Sequence, residues 1–119
     1  MSFDTTFTTL PEYLRVDVSG EFSIPNLFGL IETVMREAVA AERKLVLVDA
    51  RNISGELNEA DRFLGGQRSA EVFGSRIKSA LLMPADKITK MAELAAGNRG
   101  AKLLVTADED EAVKWLMEN

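Results

Sequence analysis

The sequence predicts an α/β fold: a mostly parallel sheet that begins with an antiparallel hairpin, in the order β-β-α-β-α-β-α-β-α. Three observations carry this. Residues 14–18 (LRVDV) alternate apolar and polar, the period of a half-buried strand, and Pro11 separates them from a Thr-rich strand before them. Leu45-Val46-Leu47-Val48 is a short unbroken apolar run, as expected of a strand covered on both faces. From residue 24 onward, apolar stripes at helical spacing alternate with such runs, the pattern of successive crossover units.

The elements run in order along the chain. Phe3–Thr9 (FDTTFTT) is aromatic and β-branched, so it reads as a strand. Leu10-Pro11-Glu12 is a turn, because proline fixes φ and lacks the N–H that a ladder needs. The second strand starts at Tyr13 and Leu14 and ends at Ser19-Gly20. Ile24–Glu42 is a helix, with Leu27, Leu30, Ile31, Val34, Ala38 and Ala41 on one stripe. Ser23 is its expected N-cap, Pro25 suits its first turn, and Arg43-Lys44 lie where a helix C-terminus favours cations. Asp49 is expected to end the Leu45–Val48 strand, with Arg51–Gly55 as loop. Leu57–Phe73 is read as a helix interrupted by Gly65-Gly66, since each glycine costs about 1 kcal/mol relative to alanine in a helix. Ile77–Met83 is a strand ended by Pro84. Asp86–Asn98 is a helix, with Gly97 and Gly100 bracketing its end. Ala101–Ala107 is the last strand. Asp108–Glu118 is the last helix, opened by Asp108 with Glu111 three residues on in a capping-box arrangement.

At 119 residues the chain is expected to form one domain, residues 1–119, long enough to bury a core without disulfides or metals. It contains no histidine and no cysteine. Those two absences remove Ser-His-Asp and Cys-His catalysis, zinc sites built on His or Cys, iron–sulfur clusters, His-ligated haem and disulfides. The net charge of −5 lacks the basic footprint of a nucleic-acid binder. Only residues 57–100 are net positive, at +2, a weak signal for an anion-binding surface beside an ordinary mixed surface. No apolar run is long enough to span a membrane, and the absence of a leader over residues 1–20 sets the expectation of a cytoplasmic protein. No metal-ligand cluster, cofactor motif or catalytic pair stands out. The run Asp108–Glu111 is accounted for by the helix dipole, and Gly65-Gly66 lacks the spacing and the lysine of a phosphate-binding loop.

Several strings resemble the STAS fold, named for sulfate transporters and anti-sigma factor antagonists, and in particular its small SpoIIAA-like (STAS/SEC14-like) members. Leu45–Asp49 followed by Arg51-Asn52-Ile53-Ser54-Gly55 is similar to the family's strand and switch loop. Asp61-Arg62-Phe63 opens the next helix, Ala80-Leu81-Leu82 resembles the following strand, and Asn98-Arg99-Gly100 precedes the last one. Glu111-Ala112-Val113-Lys114-Trp115-Leu116 is similar to the family's closing acidic-Ala-x-x-Trp-Leu pattern. The resemblance implies a non-enzymatic interaction or regulatory module, which in anti-sigma antagonists is switched by phosphorylation of a serine in an Asp-Ser-(Ser/Thr)-Gly loop. A gapless count from Asp49 places that serine near Asn58, which has no hydroxyl, so only Ser54-Gly55 offers one beside a glycine. The SEC14 likeness implies an apolar-ligand pocket as the alternative.

Ligands of open α/β sheets sit beyond the carboxyl ends of the strands. The candidate partner-binding residues are therefore Asp49, Arg51, Ser54, Asn58 and Arg62, with Arg99 a candidate anion contact through its guanidinium fork. Ser54 is a candidate phosphoacceptor with Arg51 near in sequence; the same stretch also serves as a plain β–α connection in which Ser54 or Asn58 caps the helix. The expected partners are a protein, a second copy of the chain, or a small apolar ligand. Trp115 is expected to dock the last helix on the sheet.

Overall fold

Proline at position 11 and the antiparallel hairpin it starts set one edge of the sheet. A computed structural model describes residues 3–118. Strands β1 (Asp4–Thr9) and β2 (Leu14–Glu21) pair antiparallel, with Phe7 opposite Val16 and Thr9 opposite Leu14. Strands β3 (Leu45–Ser54), β4 (Lys78–Leu82) and β5 (Lys102–Thr106) then add in parallel, so the five strands lie side by side in chain order. The mostly parallel sheet with an N-terminal antiparallel hairpin is as expected.

Each crossover adds its strand on the same side of the previous one. A right-handed connection then places all the crossover helices on one face. These are α1 (Ile24–Ala41), α2 (Glu59–Phe73) and α3 (Met91–Gly97). Leu14, Val16 and Val18 of β2 and Val46 and Val48 of β3 meet Leu30, Ile31, Val34 and Ala38 of α1 in the larger core. The alternate residues face the other way: Leu47 of β3 and Ala80 and Leu82 of β4 pack on Ala112 and Leu116 of α4 (Glu109–Met117). This is the period-two alternation of a strand put to use on both faces. No helix among the described residues is long and apolar enough to cross a membrane.

The caps fall where the sequence placed them. The Ser23 hydroxyl accepts from the Asn26 N–H at 3.1 Å, and Arg43 donates to the Leu10 and Ala41 carbonyls, both at 2.9 Å. Asp108 accepts from the N–H groups of Asp110 and Glu111, but its own N–H donates to the Thr106 hydroxyl at 3.2 Å and the Glu111 carboxylate accepts from that same hydroxyl, so the expected capping box does not form. Trp115 does hold α4 in place, in company with Lys78. The Lys78 ammonium lies 4.5 Å from the indole centroid and donates to the Trp115 and Glu118 carbonyls at 2.6 and 2.8 Å, satisfying a helix C-terminus with a cation.

Four expectations are corrected. First, residues 51–54 are not loop: β3 runs on through Ser54, pairing Ser19 with Asn52, Gly20 with Ile53 and Glu21 with Ser54. Between Asp17 and Ser19 the register shifts, leaving one extra residue on β3, and this bulge reverses the facing of the residues beyond it. Val48 and Ala50 point to the crossover helices, and beyond the bulge Ile53 does too. The polar sequence of this stretch concealed a strand, and that strand pairs on only one side because β4 stops at Leu82. Second, α2 begins at Glu59 rather than Leu57, and Gly65-Gly66 do not interrupt it. A methyl group on Gly66 would lie 2.3 Å from the Ala92 carbonyl oxygen and 2.9 Å from the Ala95 Cβ, so glycine is what lets α3 lie against α2. Third, the helix expected over 86–98 is split into a 3₁₀ turn at Ala85–Lys87 and α3 from Met91. Ile88 is extended between them, as β-branched residues prefer, and the Thr89 hydroxyl accepts the Met91 N–H at 3.3 Å to restart the helix. Fourth, the strand expected over 77–83 is shorter, Lys78–Leu82.

Candidate functional site

Two features meet near the carboxyl ends of the parallel strands, one on each face of the sheet. On the α4 face is a charged cluster. Arg15 and Asp17 are two apart on β2, Asp49 and Arg51 two apart on β3, so each pair shares a face, and the register sets Asp17 beside Asp49. Arg51 grips Asp49 through two parallel hydrogen bonds, Nε to Oδ1 at 2.9 Å and Nη2 to Oδ2 at 2.7 Å. Arg15 donates to Asp49 at 3.0 Å and to Glu109, on the first turn of α4, also at 3.0 Å; its Nε reaches Asp17 at 3.2 Å. Arg51 also meets Glu109 at 3.2 Å.

Asp49 is the hub and the least exposed member, with 12% of its side chain accessible against 39% for Arg51. The hydrogen bonds from Arg51 hold its carboxyl below the usual carboxylate range against the opposing effect of burial, and the charge of Arg15 adds to this. A carboxylate so held is a weak proton acceptor, and the arginines are already satisfied. The cluster therefore joins β2, β3 and the start of α4 rather than presenting a free acid, base or anion cradle.

On the other face, beneath the crossover helices, the sheet and α1–α3 form a pocket of about 120 Å³ that is partly open to the surface. Its walls are apolar: Leu27 and Ile31 from α1, Val48 and Ala50 from β3, Leu81 from β4 and Val105 from β5 all line it. Gly65 and Gly66 line it from α2. Its polar lining includes Asp61, Arg62, Lys87 and Thr89, from the first turns of α2 and the segment before α3. Buried Ser79 adds a hydroxyl from β4.

The candidates from sequence are thus divided. Asp49 and Arg51 belong to the charged cluster. Ser54 is exposed at the end of β3, where its hydroxyl donates to the Gly20 carbonyl at 3.4 Å, and it does not cap the helix. Asn58 does: its side chain accepts the Asp61 N–H at 2.7 Å while Asp61 accepts the Asn58 N–H at 3.0 Å, a reciprocal capping box. Arg62 lines the cavity and ties α2 to its surroundings, donating to the Leu57 and Lys87 carbonyls, both at 2.8 Å. Arg99 lies over the Phe63 ring, 5.6 Å from its centroid, apart from Asp49 and Arg51. Sequence reasoning missed Arg15, Asp17 and Glu109; the Arg-x-Asp spacing on the second strand was the usable signal, while Asp49-x-Arg51 was hidden because the sequence pattern places Arg51 in a loop. Among the described residues no group of three or more acidic side chains could hold a metal ion.

No protein-family model and no curated protein sequence matches the chain. Solved structures do match its fold. The chain is similar to an anti-sigma factor antagonist from Mycobacterium paratuberculosis, with a TM-score of 0.61 at 15% identity over 98% of this chain and 96% of the other. It is also similar to the anti-sigma factor antagonist SpoIIAA in its unphosphorylated form, with a TM-score of 0.55 at 16% identity over 99% of this chain and all of the other. An uncharacterised protein with a SpoIIAA-like fold from Shewanella loihica gives a TM-score of 0.52 at 13% identity, covering 97% and 94%. The chain has the STAS, or SpoIIAA-like, fold.

Proposed function

We propose that this chain is a non-enzymatic regulatory module of the STAS type that engages a protein partner through α2 and the overrunning end of β3. The surface of α2 carries this reading. Phe63 and Leu64 stand side by side on it, 39% and 38% exposed, just past the Asn58 cap and in a fold shared with anti-sigma factor antagonists. A half-exposed aromatic ring with an arginine over its face, next to an exposed leucine, is the kind of anchor that protein recognition uses. Position 58 has no hydroxyl to phosphorylate; Ser54, exposed on the same end, is the hydroxyl available for a charge-based switch. The test is affinity capture from native lysate with the wild-type chain and with Phe63→Ser. A protein retained by the first and lost by the second supports the reading; equal retention by both, or none by either, overturns it. Ser54→Glu then reports on the switch, by weakening capture where Ser54→Ala does not.

The cavity favours a second reading, a carrier of a small apolar molecule. Apolar space of this kind beneath helices is the usual form of a ligand pocket. Native mass spectrometry after gentle desalting is the check: a reproducible bound mass supports the carrier, and a clean apo mass across preparations removes it.

A further inference from the structure

The two edges of the sheet are treated differently. At the β5 edge α3 packs against the strand, and the Glu93 carboxylate accepts the Val105 N–H at 2.6 Å. The β1 edge has no such cover: among the described residues no side chain hydrogen-bonds to the backbone of Asp4–Thr9. Nor does β1 carry the usual protections of a free edge, namely lysine, proline or a bulge. Between β1 and α1 runs a surface groove lined by Phe3 and Thr5 on one side and Gly29 and Thr33 on the other.

The sequence of that edge is a palindrome. Thr5-Thr6-Phe7-Thr8-Thr9 reads the same in both directions about Phe7. An antiparallel pairing of two copies about a two-fold axis at Phe7 sets Phe7 against Phe7, Thr6 against Thr8 and Thr5 against Thr9. Asp4, the one charged residue of β1, then faces Leu10, so no like charges are apposed. Threonine–threonine and aromatic cross-strand pairs are among the favourable ones. The faces agree as well: Phe7 packs on the core of the crossover-helix side, while Thr6 and Thr8 lie beside Asp17 and Arg15 on the opposite side. An isologous contact of this kind closes on itself and consumes the free edge.

We propose that two copies of this chain pair antiparallel through their β1 edges, centred on Phe7, to form one continuous ten-stranded sheet. The contact does not depend on the partner or cavity readings above, since it uses neither α2 nor the pocket.

The absence of cysteine makes the geometry directly testable. Opposed residues of an antiparallel pair have Cα atoms about 4.5–5.5 Å apart, within disulfide reach. Phe7→Cys is therefore expected to cross-link rapidly under mild oxidation, while Thr9→Cys, displaced from the axis, does not. Because Phe7 contributes to the core, a second pair of variants leaves it in place. Thr6→Lys with Thr8→Lys sets like charges opposite each other across the axis and is expected to weaken the dimer by about tenfold in light scattering. Thr6→Lys with Thr8→Glu sets opposite charges there, and suits the neighbouring Asp17 and Arg15, so it is expected to dimerise at least as well as wild type. A wild-type chain that stays monomeric at every concentration reached overturns the proposal. So does Thr9→Cys cross-linking as fast as Phe7→Cys, or equal association of the two charge variants.

Discussion

Asp49 stands between two guanidinium groups, and its environment makes a prediction about pH. Its carboxyl titrates below the ordinary range in the folded chain, so the contribution of the pair is fully present above the unfolded carboxylate value of about 4. It is lost as pH falls from there toward the folded value. Asp49→Asn, which keeps the shape and removes the charge, is expected to cost about 1–2 kcal/mol at neutral pH, the range of a partly exposed, charge-assisted hydrogen bond. Urea midpoints at pH 7 and pH 3 check this: the gap between wild type and variant should narrow in acid, and a gap independent of pH would show that the charge is not what matters. Arg15 and Asp17 were legible as a charge pair two residues apart within a strand, whereas Asp49 and Arg51 were not, because the sequence pattern ends the strand at Asp49. The union of the two pairs was hidden as well, because it depends on how β2 and β3 are offset after an intervening helix, and no local pattern records that offset.

At the scale of elements, α2 is held by two devices of different legibility. The capping residue was narrowed to Ser54 or Asn58 by residue type, and the structure selects Asn58 because β3 continues through Ser54. Asn58→Ala is expected to lose about 1 kcal/mol, read as a lowered thermal midpoint, while Asn58→Ser, which caps equally well, should stay near wild type. Gly65-Gly66 misled for an identifiable reason: propensity treats glycine as a break, whereas Gly66 is required by the approach of α3, an element that comes after it in the chain. Gly66→Ala is accordingly expected to destabilise by about 1–3 kcal/mol through overpacking. Gly97→Ala, where an added methyl group meets nothing within 4 Å, should be neutral or stabilising by up to about 1 kcal/mol. Equal effects at the two glycines would contradict the packing argument. The mostly parallel sheet with an antiparallel edge was readable because hairpin and crossover rules act on element order, whereas the bulge in β3 was not, because it arises from pairing with β2 over a polar stretch.

Across the whole molecule, the unequal covering of the sheet leaves its packing incomplete on one side. Three crossover helices of different length share one face, and with glycines on α2 they leave a partly open apolar space unfilled. An apolar cavity of about 150 Å³ in another protein stays dry and binds benzene; the one here is of similar size, at about 120 Å³. That scale admits a single ring or a short branched chain and is too small for a whole lipid without movement of the helices. Benzene is therefore the probe, and is expected to raise the thermal midpoint of the wild-type chain. Ala50, 1% exposed on the cavity wall, is the place to fill it. Ala50→Val should gain about 0.5–2 kcal/mol as the added methyl groups occupy empty space, and should abolish the benzene shift. If the space is in truth closed by the helices, the same substitution overpacks the core and costs about 1–3 kcal/mol, and benzene shifts neither protein. The two outcomes differ in sign, so one pair of melting curves decides whether the face beneath the crossover helices is a binding chamber or a settled core.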